Sequence, residues 1–436
     1  MRLVEANGRS LVLTHAGELH GPFTLFINLK YDNPNTRTAV TGGLRLLQAF
    51  VQAFRVTLPH RALEGHCLHS QEVGWLANLA YRPMEEIESM TPQMLSRLAK
   101  TEVVAHRDRP GAVTRATASA RLVQIATFLD WYFVAVLDPR IRSAQTRREL
   151  KDRYAASIND LKSKIKGSGS KHPTQVRSLP TMRFKQLMTA AYSNPEAIFG
   201  RGKGASSTMK RNRAVFLLAC EGLRPGAIGN LQLEDFKGRY LEIKDNIARR
   251  DEAPTSGTPV QKGARSNSVN YNSQYTITLW PWTSEAISDY IRSERAELLA
   301  RRLKNQSKGF LFLEVLGAGP IRNRKTISLV FNEAEVRMQE QGMLTRESGD
   351  AYVKAEEYEL VAYTLRHSAA TLYVAEKGGS DQTKSEMKDR FGWTNNSAMP
   401  DLYARRAAFD AAAIDIADWW ESMRAERLKL QRKADT

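Results

Sequence analysis

The sequence has little cysteine, no internal repeat and no Gly-rich nucleotide-binding loop. Its two cysteines, Cys67 and Cys220, lie far apart in a chain of 436 residues, which fits a reduced, cytoplasmic protein better than a disulfide-stabilised scaffold. We find no apolar run long enough to span a bilayer, and the first residues do not begin a signal peptide. His66 and His69 flank Cys67 without the ligand spacing of a zinc site. We therefore expect no membrane partner, no bound metal and no cofactor.

Acidic residues are too few to balance the basic ones, which gives the chain a formal net charge of +17 at pH 7. The excess is local, because residues 147–213 contain 16 Lys and Arg against 4 Asp and Glu. Proteins that bind nucleic acid draw much of their affinity from neutralising phosphates, so this segment favours a DNA partner over a solvated basic surface. The basic residues that we expect to contact DNA are Lys162, Lys164, Lys166, Lys171, Arg177, Lys203, Lys210 and Arg211.

The same basic segment separates two regions that have apolar periodicity. Residues 162–178 are rich in Lys, Gly and Ser and lack an apolar period, as expected of a linker. A chain of this length has room for two or three domains. We predict a mainly α fold with a small antiparallel β-sheet (α+β). Its parts are an N-terminal β extension (1–34), a helical domain (35–165), a basic linker (166–178) and a second domain (179–436).

Apolar spacing predicts the elements of each region. Leu44, Leu47, Val51 and Phe54 recur at helical spacing, and a second apolar helix is predicted over residues 115–136. Alternation of apolar and polar residues predicts the strands. The remaining predicted elements are strands at 10–14, 22–29, 240–243, 274–281 and 309–313, and a helix at 284–303.

Four short motifs contain the residues that could take part in catalysis or phosphate binding. Arg224 lies in the turn Glu-Gly-Leu-Arg-Pro-Gly at 221–226, and Arg366 lies in Thr-Leu-Arg-His-Ser-Ala-Ala-Thr-Leu at 364–372. Phe-Gly-Trp follows at 391–393, and Asp-Leu-Tyr-Ala-Arg follows at 401–405 and contains Tyr403. Two planar guanidinium groups can hold the non-bridging oxygens of a phosphodiester while a tyrosine attacks the phosphorus. The sequence therefore indicates an arginine clamp that precedes a nucleophilic tyrosine.

In this order the motifs resemble the catalytic domain of the tyrosine recombinases, the phage-integrase family. The resemblance implies that Arg224 and Arg366 clamp the scissile phosphate, that Trp393 fills a position usually held by His or Trp, and that Tyr403 forms a 3′-phosphotyrosyl bond. It also implies a helical DNA-binding domain before the catalytic domain, and metal-independent cutting and rejoining of double-stranded DNA through a Holliday junction. The active form would be an oligomer on DNA, alone or with sister recombinases.

In this family the general acid is a Lys on a β-hairpin after the first Arg. Lys262, in Val-Gln-Lys-Gly-Ala-Arg, resembles the family's lysine turn and stands before the predicted returning strand. Lys244, at the end of the first predicted strand of that hairpin, is the alternative. Because the acid normally occurs just before the returning strand, we place Lys262 first.

Two positions and one spacing depart from the family pattern. Tyr363 stands three residues before Arg366, where the family usually has His, and a tyrosine can donate a hydrogen bond but cannot become a cation. Ala227 replaces a common Glu three residues after Arg224, and the spacing from Trp393 to Tyr403 is one residue longer than expected. We include Tyr363 among the candidate site residues. The departures leave a second function open, that of a catalytically impaired, recombinase-like protein that recognises DNA sites or assembles active partners.

The last predicted helix has an apolar face followed by basic residues. Its apolar residues include Ile414, Ile416, Trp419, Trp420 and Met423. Adjacent tryptophans on such a helix need a surface against which to pack. The helix can pack on its own domain or, as the family resemblance implies, on a neighbouring protomer. The expected location of the protein is the cytoplasm, in association with the nucleoid.

Overall fold

The computed structural model describes the chain except for residues 7–8, 32–33, 102–105, 108, 165–177, 201–206, 245–257, 260–274, 302–306, 308, 345–359, 409–410, 412–422 and 424–436. The described residues are mostly helical, with one two-stranded and one three-stranded antiparallel sheet. The prediction of a mainly α fold with a small antiparallel sheet is confirmed. The chain divides into two compact units, one over Met1–Ser170 and the other over Lys171–Asp251 together with Gly257–Thr436.

The first unit begins with a β-hairpin and continues as helices. Strand β1 (Arg2–Ala6) pairs with strand β2 (Arg9–Leu13) in a register that places Arg2 opposite Leu13. The predicted helix over Leu44 to Phe54 is present as part of α2, which buries Leu44 and Leu47 in the core. The helices of this unit are α1 (Gly21–Lys30), α2 (Pro34–Phe54), α3 (Leu58–Leu63), α4 (Ser70–Leu79), α5 (Met84–Ser89), α6 (Pro92–Ala99), α7 (Arg115–Tyr132) and α8 (Ala144–Ser163).

The predicted strand at 22–29 is wrong, because this segment forms helix α1. His20 caps the helix by accepting a hydrogen bond from the backbone N–H of Phe23 at 3.3 Å. Pro22 stands in the first turn, where a backbone N–H would have no partner within the helix, so the N–H that proline lacks is not missed. Phe23, Phe26 and Ile27 are buried at the spacing of one helix face. These capping signals favour a helix more strongly than the weak alternation of apolar and polar residues favours a strand.

The predicted apolar helix at 115–136 is present as α7, which continues into a π-helical turn at Phe133–Leu137. The segment Arg115–Arg140 is long and apolar enough to cross a membrane, by length and composition, so the expectation that no such run exists is wrong. Half of its most apolar window is buried inside the protein, and a buried core helix meets the same criterion. The buried residues of α7 include Leu122, Ile125, Phe128, Leu129 and Tyr132.

The second unit contains a small sheet with helices around it. Strands β3 (Phe236–Lys237), β4 (Tyr240–Ile243) and β5 (Tyr275–Thr278) are antiparallel in that order, with Tyr240 opposite Thr278. The predicted strand at 240–243 is therefore confirmed in full, and the strand predicted at 274–281 is confirmed over Tyr275–Thr278. The helices are α9 (Thr181–Ser193), α10 (Pro195–Phe199), α11 (Met209–Cys220), α12 (Pro225–Ile228), α13 (Pro281–Tyr290), α14 (Ala296–Arg301), α15 (Arg324–Glu340), α16 (Ala362–Lys377), α17 (Asp381–Phe391) and α18 (399–408).

Two predictions in the second unit differ from the structure. The helix predicted at 284–303 is present, but it begins at Pro281 and contains a π-helical turn at Ile291–Arg295 between α13 and α14. The strand predicted at 309–313 is wrong, because this segment makes only isolated bridges through Phe310 and Leu313. Gly309 has a φ of +75°, which interrupts the extended backbone. The third strand of the sheet is the two-residue β3, which is too short for alternation to reveal.

Helix α11 lies at the centre of the second unit. Every residue from Asn212 to Cys220 is buried, and the helix packs against α13 and α16. A helix that is apolar around its whole circumference belongs in a core. Its C-terminal end therefore places the turn that follows, which contains Gly222 and Arg224, inside the unit and beside α16.

Candidate active site

Arg366 is held in place by backbone carbonyls and aromatic rings. It lies on α16 and is 3% exposed. Its Nη1 donates to the carbonyl oxygen of Gly222, and its Nη2 donates to that of Phe391. The guanidinium carbon lies 5.3 Å from the ring centroid of Phe391 and 5.5 Å from that of Trp393. Burial, followed by the charge of Arg224, lowers the pKa of Arg366 to about 10, so this buried group remains a cation at neutral pH.

Arg224 supplies a second guanidinium group. The chain leaves α11 through Gly222, whose φ is +96°, and Arg224 stands at the N-cap position of α12. Its Nε and Nη1 atoms are buried and have no hydrogen-bond partner among the described residues. A buried donor without a partner costs about 1–3 kcal/mol, so these atoms are suited to an anion. The charge of Arg224 acts to lower the pKa of Arg366, whose Nη1 donates to the carbonyl of Gly222 two residues before Arg224.

The carboxylate nearest to Arg224 in sequence does not neutralise it. Glu221 is 1% exposed, its Oε2 pairs with Nη2 of Arg390 at 2.5 Å, and its Oε1 accepts from the backbone N–H of Trp280 at 2.7 Å. Ala227, at the position where a Glu was expected, is a buried residue of α12. Glu221 is therefore committed to joining α17 to the start of α13, and the positive charge at Arg224 and Arg366 persists.

Gly392 allows the third motif to approach the sheet closely. It ends α17 in the left-handed conformation, with a φ of +58°. A Cβ atom at this position would lie 2.5 Å from a ring carbon of Tyr275 on β5, closer than any real contact. A glycine is thus required for both backbone conformation and space. The close approach places Phe391 and Trp393 against Arg366.

We expect Gly392→Ala to destabilise the second unit more than Gly238→Ala does. Both glycines have a left-handed backbone, with φ of +58° and +66°, so both variants meet a similar strain of about 1–2 kcal/mol. Only at Gly392 does the added methyl group collide with a ring, which adds about 1–3 kcal/mol, because the space around Gly238 is open. Urea unfolding of the two variants beside the wild type measures the difference. Equal losses of stability would contradict the close contact with Tyr275.

Tyr403 lies in the same cluster, on α18. It is 1% exposed, and its ring stacks on that of Trp393 with 5.5 Å between centroids and 9° between planes. Burial raises the pKa of Tyr403 well above its usual value of 10, while the charges of Arg366 and Arg224 act to lower it. The phenol is therefore neutral at physiological pH and lies within the electrostatic field of both arginines.

His367 is the site residue that the sequence argument missed. Its Nδ1 is hydrogen-bonded to the hydroxyl of Tyr403, and the two ring centroids are 5.6 Å apart. Tyr363 lies one helical turn earlier on the same face of α16, is 53% exposed, and has its ring centroid 6.3 Å from that of His367. The sequence signal was the position of His367, immediately after Arg366 and four residues after Tyr363. Only the folded chain shows that this side chain meets Tyr403.

Of the two candidate lysines, the structure describes only Lys244. Lys262 lies outside the described residues. Lys244 follows β4, and its Nζ is 2.7 Å from Oε2 of Glu242 and 3.4 Å from Oδ1 of Asp235. The hydrogen bond to Glu242 raises the pKa of Lys244 above its usual value, against a smaller effect of desolvation. These carboxylates keep Lys244 protonated and hold it at the end of the hairpin.

The basic residues predicted to contact DNA are not equivalent. Lys162 and Lys164 are exposed at the C-terminal end of α8, and Lys210 is half-buried in the first turn of α11. The predicted residues that lie outside the described part of the chain are Lys166, Lys171, Arg177 and Lys203. The exposed lysines at the end of α8 keep the charge and accessibility that a phosphate contact needs.

The side chain of Arg211, another residue predicted to contact DNA, forms hydrogen bonds inside the fold. Its Nη1 donates to the carbonyl oxygen of Leu313 at 3.1 Å, and its Nε and Nη2 donate to Oδ1 of Asn212 at 3.2 and 3.0 Å. The carboxylate of Glu294 accepts from the backbone N–H groups of Lys210 and Arg211 at the start of α11. These contacts anchor α11 to the segment around Leu313, and the contact of Arg211 with DNA stays a prediction.

Arg224, Arg366, Trp393 and Tyr403 come from separate motifs and lie together in the second unit. No protein-family model matches the sequence, and no curated protein matches it. Among the described residues, no group of three His, Cys, Asp or Glu side chains is placed to hold a metal ion. The apolar residues Ile414, Ile416, Trp419 and Trp420 lie outside the described part of the chain. The arrangement can bind an anion at Arg224, with the added charge of Arg366, and it offers a phenol oxygen in the same cluster.

Proposed function

We propose that this protein is a tyrosine site-specific recombinase, which cuts and rejoins double-stranded DNA through a 3′-phosphotyrosyl intermediate and a Holliday junction. The observation that carries the proposal is the arginine pair. Two buried donor atoms of Arg224 have no partner among the described residues, and Arg366 is bonded to the carbonyl of Gly222, two residues before Arg224. The charges of both arginines act on Tyr403. A phosphodiester supplies the negative charge and the acceptor oxygens that this arrangement needs.

The two arginines have different parts in the proposed reaction. Nε and Nη1 of Arg224 bind the non-bridging oxygens of the scissile phosphate, on which charge grows as the phosphorus is attacked. Two N–H groups of Arg366 already bind the carbonyls of Gly222 and Phe391, so Arg366 fixes the geometry of the site and contributes its charge. This positive charge makes the step independent of a metal ion.

Tyr403 is the proposed nucleophile. Its oxygen attacks the phosphorus, the phosphotyrosyl bond forms, and the bond to the 5′ oxygen of the next nucleotide breaks. Because burial keeps Tyr403 neutral in the free protein, its proton must leave as the attack proceeds. Trp393, whose ring is parallel to that of Tyr403, supports the aromatic ring of the nucleophile rather than donating a proton.

The proposed partners follow from the charge and the chemistry. A net charge of +17 and the exposed Lys162 and Lys164 support binding of duplex DNA. Recombination of two duplexes requires four active sites, so we propose assembly into a tetramer on DNA. The same positive charge opposes assembly before DNA neutralises it. The proposed location is the cytoplasm, in association with the nucleoid.

The experiment that tests this function is trapping of the covalent intermediate. A binding site is first selected from a random duplex library and from the DNA that flanks the gene. A nick is then placed in this DNA so that the cleaved end diffuses away, which makes it a suicide substrate. Denaturing electrophoresis should then show DNA linked to the protein, in the presence or absence of a chelator. Specific binding without any linked product would support the alternative of an impaired, recombinase-like DNA-binding protein. A strict need for a divalent ion would contradict the arginine mechanism.

We propose Lys262 as the acid that protonates the leaving 5′ oxygen, and the described alternative provides its matched control. Lys262→Ala should lose cleavage of ordinary DNA, and a substrate with sulfur at the 5′ bridging position should restore it, since a thiolate leaves without a proton. Lys244→Ala should cleave both substrates alike, because Lys244 is already paired with Glu242 and Asp235. Rescue confined to Lys244→Ala would exchange the two assignments.

A further inference from the structure

His367 makes a contact that neither the arginine clamp nor the lysine acid requires. Its Nδ1 bonds to the hydroxyl of Tyr403, the atom that would attack the phosphorus. Trp393 stacks on the ring of Tyr403 and leaves the hydroxyl directed at His367. His367 also lies next to Arg366 in the chain, and Arg366 is fixed by two carbonyls. The imidazole is therefore held beside the reacting oxygen by the same helix that carries Arg366.

We propose that His367 accepts the proton of Tyr403 as the phosphotyrosyl bond forms and returns it when the DNA is rejoined. This role rests on the proposed recombinase function and names a residue for a proton transfer that the two arginines cannot perform. With its hydrogen on Nε2, neutral imidazole presents a lone pair at Nδ1 and accepts from the phenol. General base catalysis by a positioned group contributes about 10²–10⁴-fold to a rate.

Tyr363 is the other residue on this face of α16, and it is the weaker candidate for the transfer. It is 53% exposed, and a phenol does not accept a proton at neutral pH. Tyr363 and His367 stand four residues apart, so they occupy the same helix face in successive turns. The base thus lies one turn later on α16 than the sequence pattern suggested.

The proton and electron balance is complete. In cleavage, the proton of Tyr403 moves to Nδ1 of His367, the phenol oxygen bonds to phosphorus, and the 5′ oxygen departs with a proton from the lysine acid. In rejoining, the 5′ hydroxyl loses its proton to that lysine and attacks the phosphorus. The phenol oxygen of Tyr403 leaves and takes back the proton from His367. No oxidant, reductant or further reactant is needed.

The test compares His367→Ala with His367→Asn in single-turnover cleavage of the suicide substrate. The Asn amide oxygen replaces Nδ1 as a hydrogen-bond acceptor but is not a base, so it preserves the position of Tyr403 without its proton acceptor. We expect both variants to bind DNA as the wild type does and to form the covalent product about 100-fold more slowly. Added imidazole should restore part of the rate to His367→Ala, whose cavity can admit it, and none to His367→Asn.

A second substrate separates proton transfer from positioning. A strand with a 3′-p-nitrophenyl phosphate is joined to a 5′ hydroxyl without Tyr403, and its leaving group needs no proton. In a Tyr403→Phe background, His367→Ala should join this strand nearly as fast as the parent, whereas Arg224→Ala should not.

The outcomes are distinct. Wild-type cleavage by His367→Asn, or loss of p-nitrophenyl joining as severe as that of Arg224→Ala, would overturn the base assignment while the recombinase function stands. Wild-type protein that binds its selected DNA and forms no covalent product would overturn the function and this role together.

Discussion

Tyr403→Phe should abolish the covalent protein–DNA product and leave DNA binding unchanged. The variant lacks the attacking oxygen but keeps the ring that stacks on Trp393, so the packing of α18 persists. Loss of the hydrogen bond to His367 should lower the free energy of unfolding by about 1 kcal/mol. Denaturing electrophoresis of a labelled suicide substrate measures the product, and a gel-shift titration measures binding.

Tyr373→Phe is the matched control for this experiment. Tyr373 also lies on the edge of the aromatic cluster, with its ring 6.3 Å from that of Phe391, but its hydroxyl donates to Oε2 of Glu386 at 2.9 Å. Its removal should leave the covalent product intact. A product that survives Tyr403→Phe and disappears with Tyr373→Phe would reassign the nucleophile.

Arg224→Lys should lower the rate of cleavage by about 10²–10³-fold while DNA affinity changes little. Lysine keeps the charge, but its single ammonium cannot reproduce the paired donors Nε and Nη1 that the fold leaves available. Arg292→Lys provides the control, since Arg292 is exposed on the π-helical turn and pairs with nearby Asp289 at 3.3 Å. Single-turnover rates at saturating protein separate the chemical step from binding. Equal rates for Arg224→Lys and wild type would contradict direct contact with the phosphate.

The same site should be more stable without the guanidinium of Arg224. Arg224→Met removes two buried donors that have no partner among the described residues, and it removes the repulsion of Arg366. The methionine side chain is of similar length. We expect the second unit to gain about 1–2 kcal/mol of stability in the absence of DNA and to lose cleavage. Thermal unfolding should show this as a rise of about 2–4 °C in Tm for each kcal/mol. A fall in Tm would show that Arg224 is satisfied within the fold.

Strong local patterns were sufficient to predict the long elements. The apolar spacing of Leu44 to Phe54 and of residues 115–136 specified helices, because a buried helix face needs that period whatever it packs against. Local reasoning failed where alternation was weak. At residues 22–29 the cap at His20 and Pro22 favoured a helix, and at Gly309 a positive φ interrupted a predicted strand.

Some properties of the site residues could be predicted from local motifs, and others could not. Arg224, Arg366, Trp393 and Tyr403 were predicted from motif order, since each stands in a short pattern whose residue types suit phosphate chemistry. The sequence did not show that the guanidinium of Arg211 bonds inside the fold, because a basic run does not reveal which of its members make such contacts. The contact with the carbonyl of Leu313 joins residues about 100 positions apart in the chain, and no local pattern encodes it.

The sequence by itself determined the helical character of the chain, its basic charge and the identity of the candidate clamp and nucleophile. These follow from residue type and short-range spacing, which act along the chain. Only the tertiary structure decided that Arg366 is fixed by the carbonyls of Gly222 and Phe391, that Arg224 keeps buried donors available, and that His367 meets Tyr403. Those properties depend on burial and on contacts between distant segments, which exist only after α11, α16 and α18 pack together.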